Sequence, residues 1–464
     1  MLLNFIYLGV LTGMLPWLLW RSLTTGRYRR FLSERLLGPR CPLAKPHSPC
    51  PTAWFHGVSV GEIHLLAPLV TAFQHRFPNW RVVVSSTTDT GLEEARRKFA
   101  HANVIVWPFD FTWAVQRTLD AVCPQLIVLA ESELWPNFLA AAARRGIPTC
   151  VVNGRLSPRT AARLRHLPVA VRRHLLQPVT RFAMQNEEYA RQLISLGVAP
   201  DKIVVTGSLK FDGAMAYNRQ ATLQLAHWLG VAPPYSTTEA TAQPDATPHN
   251  PPRPLIWLAG STHAPEEEIV LEAFSRLRAR YPHLHLILVP RHPDRFEAVA
   301  RLVVARGLPF VRRSQHPQPL TELPAVILWD TVGELQAAWG LADVGFVGGS
   351  LDGHRGGQSM IEPAAQGVPC LFGPYVWNFR LAAQQLVAAG GAVALRSAAD
   401  LEPELERLLQ QPQLRQQIGQ AARQLVASQQ GALRRTLQVL ESLITTTYLS
   451  CRADAFGTQP RSAA

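Results

Sequence analysis

Short apolar, β-prone runs alternate with amphipathic stretches along most of this chain. Between residues 52 and 225 the runs fall at 53–58, 81–85, 103–107, 125–129, 148–152, 180–184 and 202–206. Between them the apolar positions take helical spacing. Ile63, Leu66, Ala67, Leu69, Val70 and Phe73 share one face, and 91–99 and 135–145 repeat the pattern. Strand-like runs separated by such helices predict βαβ units around a parallel sheet. The alternation stops at 232–254, a stretch packed with Pro, Thr, Ala and Asn that reads as a linker. It resumes with strands at 255–259, 283–289, 310–312, 325–328, 344–347 and 368–372, and helices at 266–281, 294–306, 334–340 and 378–389. Two last stretches, 401–410 and 414–443, are mostly helix formers.

Two consecutive parallel α/β halves joined by a linker predict a GT-B architecture, two Rossmann-like domains facing a cleft, here with an N-terminal membrane anchor helix. The expected divisions are an anchor at 1–23, a basic, Pro-rich linker at 24–51, a first domain at 52–225, a low-complexity linker at 226–254, a second domain with C-terminal helices at 255–445, and a tail at 446–464. In such folds a C-terminal helix commonly crosses back to the first domain, an expectation by analogy alone.

The anchor rests on residues 2–20, apolar apart from Asn4 and Thr12, free of charge and followed by Arg21, Arg27, Arg29, Arg30 and Arg35. That length just spans a hydrocarbon core of ~30 Å. Basic residues after the apolar run put the body on the cytoplasmic side of the membrane. A cleaved signal would carry a basic n-region and a small-residue cleavage site, and neither is present. Pro16 and Asn4 leave a shallow, interfacial insertion open.

Composition narrows the partners. The chain of 464 residues has 46 Lys and Arg against 33 Asp and Glu, a net charge of +13, and only Lys45, Lys98, Lys202 and Lys210 are lysines. Such charge fits nucleic acid, an anionic membrane or a phosphorylated substrate. Zinc-finger spacing and aromatic-basic ribonucleoprotein motifs are missing, so nucleic acid is not expected. Cys41, Cys50, Cys123, Cys150, Cys370 and Cys451 form no Cys-x-x-Cys pair, which argues against structural zinc or a disulfide framework and fits a reducing compartment.

Candidate chemistry collects where strands end. Ser59, Gly61 and Glu62 follow the first strand, the place where open α/β sheets bind ligands. Glu62 there is either a general base toward a substrate hydroxyl or a carboxylate complementing a helix dipole. Glu131 and Glu133 follow the fourth strand and either face the same edge or cap the helix starting near Trp135. Arg155, Arg159 and Arg163 add positive charge nearby. In the second half, Gly260, Ser261 and Thr262 stand between a strand and a Glu-rich helix, a natural phosphate seat or an ordinary N-cap. Gly348, Gly349 and Ser350 form a second such turn. Arg291, followed by His292, closes a strand as a charged fork suited to phosphate or carboxylate, or as a surface arginine. With no Asp-x-Asp element and no His/Cys cluster, neither metal nor resident cofactor is expected.

These residues lie within a longer ordered series. It runs Trp54-Phe55-His56-Gly57-Val58-Ser59-Val60-Gly61-Glu62, Ser85-Ser86-Thr87-Thr88-Asp89-Thr90-Gly91, Glu131-Ser132-Glu133-Leu134-Trp135-Pro136-Asn137 and Asn153-Gly154-Arg155-Leu156-Ser157, then Val205-Thr206-Gly207-Ser208-Leu209-Lys210-Phe211-Asp212, Val289-Pro290-Arg291-His292-Pro293-Asp294-Arg295-Phe296 and Phe346-Val347-Gly348-Gly349-Ser350-Leu351. In order and spacing the series resembles the 3-deoxy-D-manno-octulosonic acid (Kdo) transferases of lipopolysaccharide synthesis, over about residues 1–440. The resemblance implies an inverting glycosyltransferase that moves Kdo from CMP-Kdo to lipid IVA, an anionic lipid A precursor, at the inner membrane. It implies that Glu62 is the base and Ser59, Gly61, Glu131, Glu133 and Arg155 support the acceptor. It further implies that Gly260, Ser261, Thr262, Arg291, His292, Gly348, Gly349, Ser350, Gln358, Ser359, Glu362 and Asn378 bind the donor, with Glu362 on the ribose hydroxyls. No protein partner is expected.

The chain departs from the family's Gly-Gly-His-Asn-Pro-Leu-Glu, reading Gly356-Gly357-Gln358-Ser359-Met360-Ile361-Glu362. That loses an imidazole, for which neighbouring His354 is a substitute. Two rivals remain at this level: a related enzyme using a uridine-nucleotide sugar, such as a lipid A disaccharide synthase, and a non-catalytic scaffold binding anionic lipid. Response to CMP against UDP separates the first, and retention of Glu62 beside intact Gly260 and Gly348 turns argues against the second.

Overall fold

In the computed structural model, residues 31–39, 50–214, 219–234 and 253–456 are described, together with 3–5, 7–9, 12, 13 and 20. Strands β1 (Thr52–His56), β2 (Arg81–Ser86), β3 (Asn103–Val106), β4 (Leu126–Ala130), β5 (Thr149–Gly154), β6 (Arg181–Met184) and β7 (Ile203–Val205) form one parallel sheet, ordered β3-β2-β1-β4-β5-β6-β7. A second sheet contains β8 (Leu255–Thr262), β9 (Leu284–Pro290), β10 (Phe310–Arg312), β11 (Val326–Leu328), β12 (Val344–Val347), β13 (Cys370–Phe372) and β14 (Ala392–Ala394), ordered β10-β11-β9-β8-β12-β13-β14. Helices cover both faces, so central strands such as β1 and β4 are buried at every position and read as continuous apolar runs. Strand order reverses between β1 and β4 in one sheet and between β8 and β12 in the other. Ligands of open α/β sheets bind just beyond such reversals.

Each sheet has its own core. On one face of the first, Ile63, Leu66, Leu69 and Phe73 of the helix Val60–Arg76 pack on Phe55, Val84 and Val128. On the other, Trp54, Ile127 and Leu129 meet Val115, Leu119 and Phe138. In the second unit Leu271, Phe274 and Leu277 of the helix Glu266–Arg280 pack with Leu286, Leu288, Leu405 and Leu408.

The boundaries differ from the expected ones. The chain passes into the second compact unit at Ala214 and returns to the first at Gly431. The helix Arg219–Leu229, which straddles the expected end of the first domain at 225, belongs to the second unit, where Thr222 donates to the Ala337 carbonyl and Trp228 Nε1 to that of His316. The stretch 414–443, read as one helix, breaks at Gly431 (φ +86°) into Pro412–Ser428 and Ala432–Phe456. The latter adds Ala432, Val439, Leu440 and Leu443 to the core beside β1. Asp212 joins the two crossings, its carboxylate accepting the Gly431 and Leu433 N–H groups. Residues 235–252 of the expected 226–254 linker, and 457–464 of the expected tail, lie outside the described residues.

No helix among the described residues is long and apolar enough to cross a membrane. Most of the expected anchor and of the 24–51 linker lies outside those residues. What is described is helical and tied to the first unit by polar groups. Asn4 Nδ2 donates to Thr112 Oγ1 at 2.7 Å, Asn4 Oδ1 accepts from Asn137 Nδ2 at 3.1 Å, and the Tyr7 hydroxyl donates to Asp110 at 3.1 Å. Asn4, read as an interruption of an apolar span, is a docking residue.

Candidate active site

Glu62 is placed by a short chain of local choices. The Ser59 hydroxyl caps the helix Val60–Arg76 by accepting the Glu62 N–H at 3.4 Å, and Glu62 Oε2 folds back to accept the Val58 N–H at 2.7 Å. The fold-back needs glycine at position 57, where a Cβ would stand 3.1 Å from that of Glu62. At Gly61 a side chain would meet only Ser59 Oγ, at 3.8 Å, so the tight position of this turn is Gly57. Burial pushes the Glu62 carboxyl up to about 7, with Glu131 and Glu133 adding to the shift. The Val58 N–H and Lys210 oppose it, and burial wins.

Across the strand reversal, β4 ends at Ala130 and Glu131 turns away in the left-handed region (φ +56°). Strain of that kind in a non-glycine residue costs about 1–3 kcal/mol and collects at functional sites. Arg155 and Lys210 each approach Glu131, at 3.8 Å. Glu133 accepts from Trp135 Nε1 at 3.1 Å, and burial followed by Glu131 raises its pKa. Neither acid caps the helix Pro136–Arg144. Asp110 does, accepting the Asn137 and Phe138 N–H groups at 3.0 and 2.8 Å. Removing the capping role leaves both acids at the edge where Glu62 stands.

Lys210 is absent from the residues expected to act, although its block was part of the resemblance. It comes from a six-residue helix, Leu209–Ala214, whose first N–H is held by Asn153 Oδ1 at 3.0 Å beyond β5. Only the fold brings it to Glu131. His56, inside the leading motif, stays out of the chemistry: fully buried, stacked on Trp107 at 3.7 Å and held neutral by burial, with a pKa down to about 3.

The second reversal corrects one expectation. The turns after β8 and β12 do stand side by side, but four of their backbone donors are taken. Glu266 accepts the N–H groups of Gly349, Ser350, Leu351 and His263 at 2.7, 2.8, 3.0 and 3.1 Å. A carboxylate of the chain fills the anion seat assigned to phosphate at Gly348-Gly349-Ser350. The glycines serve close packing. A Cβ at Gly260 would strike the Trp339 ring at 2.5 Å, and one at Gly348 the Ser261 carbonyl at 2.6 Å. Neither Ser261 nor Thr262 caps the following helix, which opens after Pro265, and Ser261 sits at φ +56°.

Side chains are what remain for a ligand here. His263, also missed by sequence reasoning, is almost wholly buried against Gly349, its ring 5.3 Å from that of His292. Burial, then Arg355, His292 and Arg291, drive its pKa down to about 4, so the imidazole is neutral near pH 7. Gln358 contacts the same glycine, so His263 rather than the exposed His354 supplies an imidazole beside the departed motif. Glu362 lies with Ser359, which hydrogen-bonds it, and with Arg291 in electrostatic reach. Burial is the largest influence on its carboxyl and raises the pKa. Asn378 holds the intervening loop, donating from Nδ2 to the Arg355 carbonyl at 2.8 Å and from N–H to that of Gly356 at 3.0 Å. The structure thus brings Arg291, His292, Gln358, Ser359 and Glu362 to one end of the second sheet.

Comparison with known proteins agrees with the arrangement. The family model described as 3-deoxy-D-manno-octulosonic-acid transferase matches residues 30–213. The 3-deoxy-D-manno-octulosonic acid transferase of Bordetella pertussis is 36% identical over 94% of this chain and 98% of its own, and that of Haemophilus influenzae is 33% identical over 90% and 93%. Among solved structures, a UDP-GlcNAc 2-epimerase from Neisseria meningitidis covers 84% of this chain and all of its own at a TM-score of 0.54 and 14% identity, a likeness of fold alone. Two parallel-sheet units with acids at one strand reversal, and identity of this extent, lead to one assignment: the chain belongs to the 3-deoxy-D-manno-octulosonic acid transferases, glycosyltransferases of lipopolysaccharide synthesis.

Proposed function

We propose that the chain moves Kdo from CMP-Kdo to lipid IVA at the cytoplasmic face of the inner membrane, with Glu62 as general base. The observation that carries this reading is the half-buried Glu62 at the first reversal, its pKa raised to about 7. A base titrating near the operating pH combines a useful ionised fraction with real proton affinity. An acceptor hydroxyl gives its proton to the ionised carboxylate as its oxygen attacks the anomeric carbon of Kdo. The bond from that carbon to the phosphate oxygen breaks on the opposite face, CMP leaves with the electron pair, and the configuration inverts. Lys210 and Arg155, gathered at Glu131, keep positive charge beside the anionic acceptor while Glu131 and Glu133 hold up the proton affinity of Glu62.

The donor falls to the second unit, with Glu362 toward the ribose diol and Arg291 toward the phosphate. This reading needs no metal, because guanidinium meets phosphate charge directly. Chelator should leave turnover unchanged, and a loss restored by magnesium would overturn that part. At the N-terminus, Asn4 and Tyr7 dock on the first unit while Phe5 (70% exposed) and Leu8 (49%) face outward, an arrangement that favours a helix lying in the membrane interface.

Titration with CMP and UDP by calorimetry, followed by Kdo transfer with Glu362→Ala, tests the donor assignment. CMP should bind and UDP should not, and the variant should raise the donor KM with less effect on kcat. Preference for UDP, or an unchanged donor KM, would sink it.

A further inference from the structure

One surface of the first unit has no role in the reaction described. The helices Pro158–Arg165 and Val169–Leu176 bury Ala161 and Leu176 and pack Leu164 against the core, yet leave Leu167, Val169 and Val171 exposed at 37, 52 and 48%. Arg163, Arg165 and Arg173 are exposed among them. Between Glu133 and Glu187 the sequence holds nine arginines and no acidic residue. Several arginines elsewhere pair with carboxylates, as Arg97 with Glu94, Arg280 with Glu402 and Arg312 with Asp330. Among the described residues no carboxylate lies within 4.0 Å of Arg163, Arg165 or Arg173, and Arg165 donates only to neutral groups, Gln192 Oε1 at 2.7 Å and Ser195 Oγ at 3.3 Å. Apolar side chains ringed by uncompensated guanidinium groups match an anionic lipid surface, which accepts the first in its acyl boundary and the second at its headgroups.

A second observation fixes where this surface lies. The helix Val169–Leu176 packs on Pro136–Arg144, the helix capped by Asp110. Asp110 is also the residue that receives the Tyr7 hydroxyl, and it is in electrostatic reach of His174. The docked N-terminal segment and the 163–174 surface are therefore neighbours, sharing one buried carboxyl. The segment just before the basic helices carries Arg155 beside Glu131 at the proposed acceptor edge.

We propose that residues 163–174 form a second membrane-contact surface of the first unit, continuous with the N-terminal helix, that binds anionic bilayer lipid and holds the acceptor edge at the membrane. The proposal rests on the membrane-borne acceptor argued above. A bilayer seated on this face lets the headgroup of its own substrate reach Glu62 without leaving the lipid.

The test uses the full chain in flotation with vesicles of phosphatidylethanolamine and phosphatidylglycerol, and with phosphatidylcholine alone. Arg165→Gln combined with Arg173→Gln should weaken binding to the anionic vesicles on the order of 30-fold, about 2 kcal/mol, at roughly 1 kcal/mol per basic residue at the surface. Binding to phosphatidylcholine should barely change. Arg165→Lys with Arg173→Lys should retain anionic binding, and Val169→Ser with Val171→Ser should weaken binding to both lipids. All three variants should turn over detergent-solubilised acceptor at the wild-type rate. Wild-type vesicle affinity in both the Gln and the Ser variants would overturn the proposal. So would a dimer in solution that the Ser variant dissociates without loss of vesicle binding, since a second copy would then be the occupant. Failure of the wild-type protein to transfer Kdo in detergent would remove the catalytic reading instead, with the vesicle result standing apart.

Discussion

Burial of the Glu62 carboxyl opposes folding wherever the unfolded chain is ionised. Its carboxyl titrates near 4.5 when solvated and about 7 in the fold, so folding favours the protonated form. Below pH 4.5 both states carry the proton and the site adds no penalty. As pH rises from 4.5 through 7 the unfolded chain ionises first and that stability is lost. Glu62→Gln keeps a carbonyl for the Val58 N–H and cannot ionise. It should melt above the wild type at pH 8 and with it at pH 4, as scanning calorimetry across pH would show. An equal difference at both pH values would place the effect in packing. Glu266 shares the direction of that shift, burial being its largest cause, but its carboxylate also accepts four N–H groups that oppose the shift and would otherwise lack a partner. Glu266→Ala orphans donors that each cost about 1–3 kcal/mol unpaired. Thermal unfolding should show the second unit lost or severely weakened, and a change under about 1 kcal/mol would contradict that role.

Strands and helices set these residues by position more than by propensity. The strands were legible because sheets covered on both faces demand unbroken apolar runs. β14 was not, being three alanine-rich residues whose burial depends on β13 and the helix Arg380–Ala388. Glu62, Glu131 and Glu133 were legible as ends of strands. Their proximity follows from the β1–β4 pairing, which periodicity alone cannot supply. The filled turn at Gly348 was illegible for a related reason, since its occupant lies 84 residues from Ser350 in the chain. Lys210 illustrates the same limit, because a helix of six residues carries little periodic signal. That helix is held by Asn153 at one end and, through Asp212, by the returning chain at the other. Lys210 lowers the Glu62 pKa, so Lys210→Met should raise it and move the acidic limb of kcat/KM to higher pH. Profiles for the two proteins with donor saturating would show the shift, and coincident limbs would remove Lys210 from the charge balance.

On the scale of the molecule, the first unit joins the acids, the docked N-terminus and the basic 163–174 surface, while the second gathers Arg291, His263 and Glu362. That division suits a reaction between a lipid-borne acceptor and a soluble nucleotide sugar. On the proposed reading, the net charge of +13 serves an anionic lipid partner and the chemistry depends on one carboxylate. The decisive measurement is kcat/KM for the acceptor against pH, in wild type and in Glu62→Gln. The account predicts a wild-type rate that rises with unit slope and levels above pH of about 7, as Glu62 ionises. The variant should run about 10²- to 10⁴-fold slower, the usual loss of a general base, without that limb and with donor affinity retained. A variant that keeps more than about a tenth of the wild-type rate, or the same acidic limb, would take the base away from Glu62.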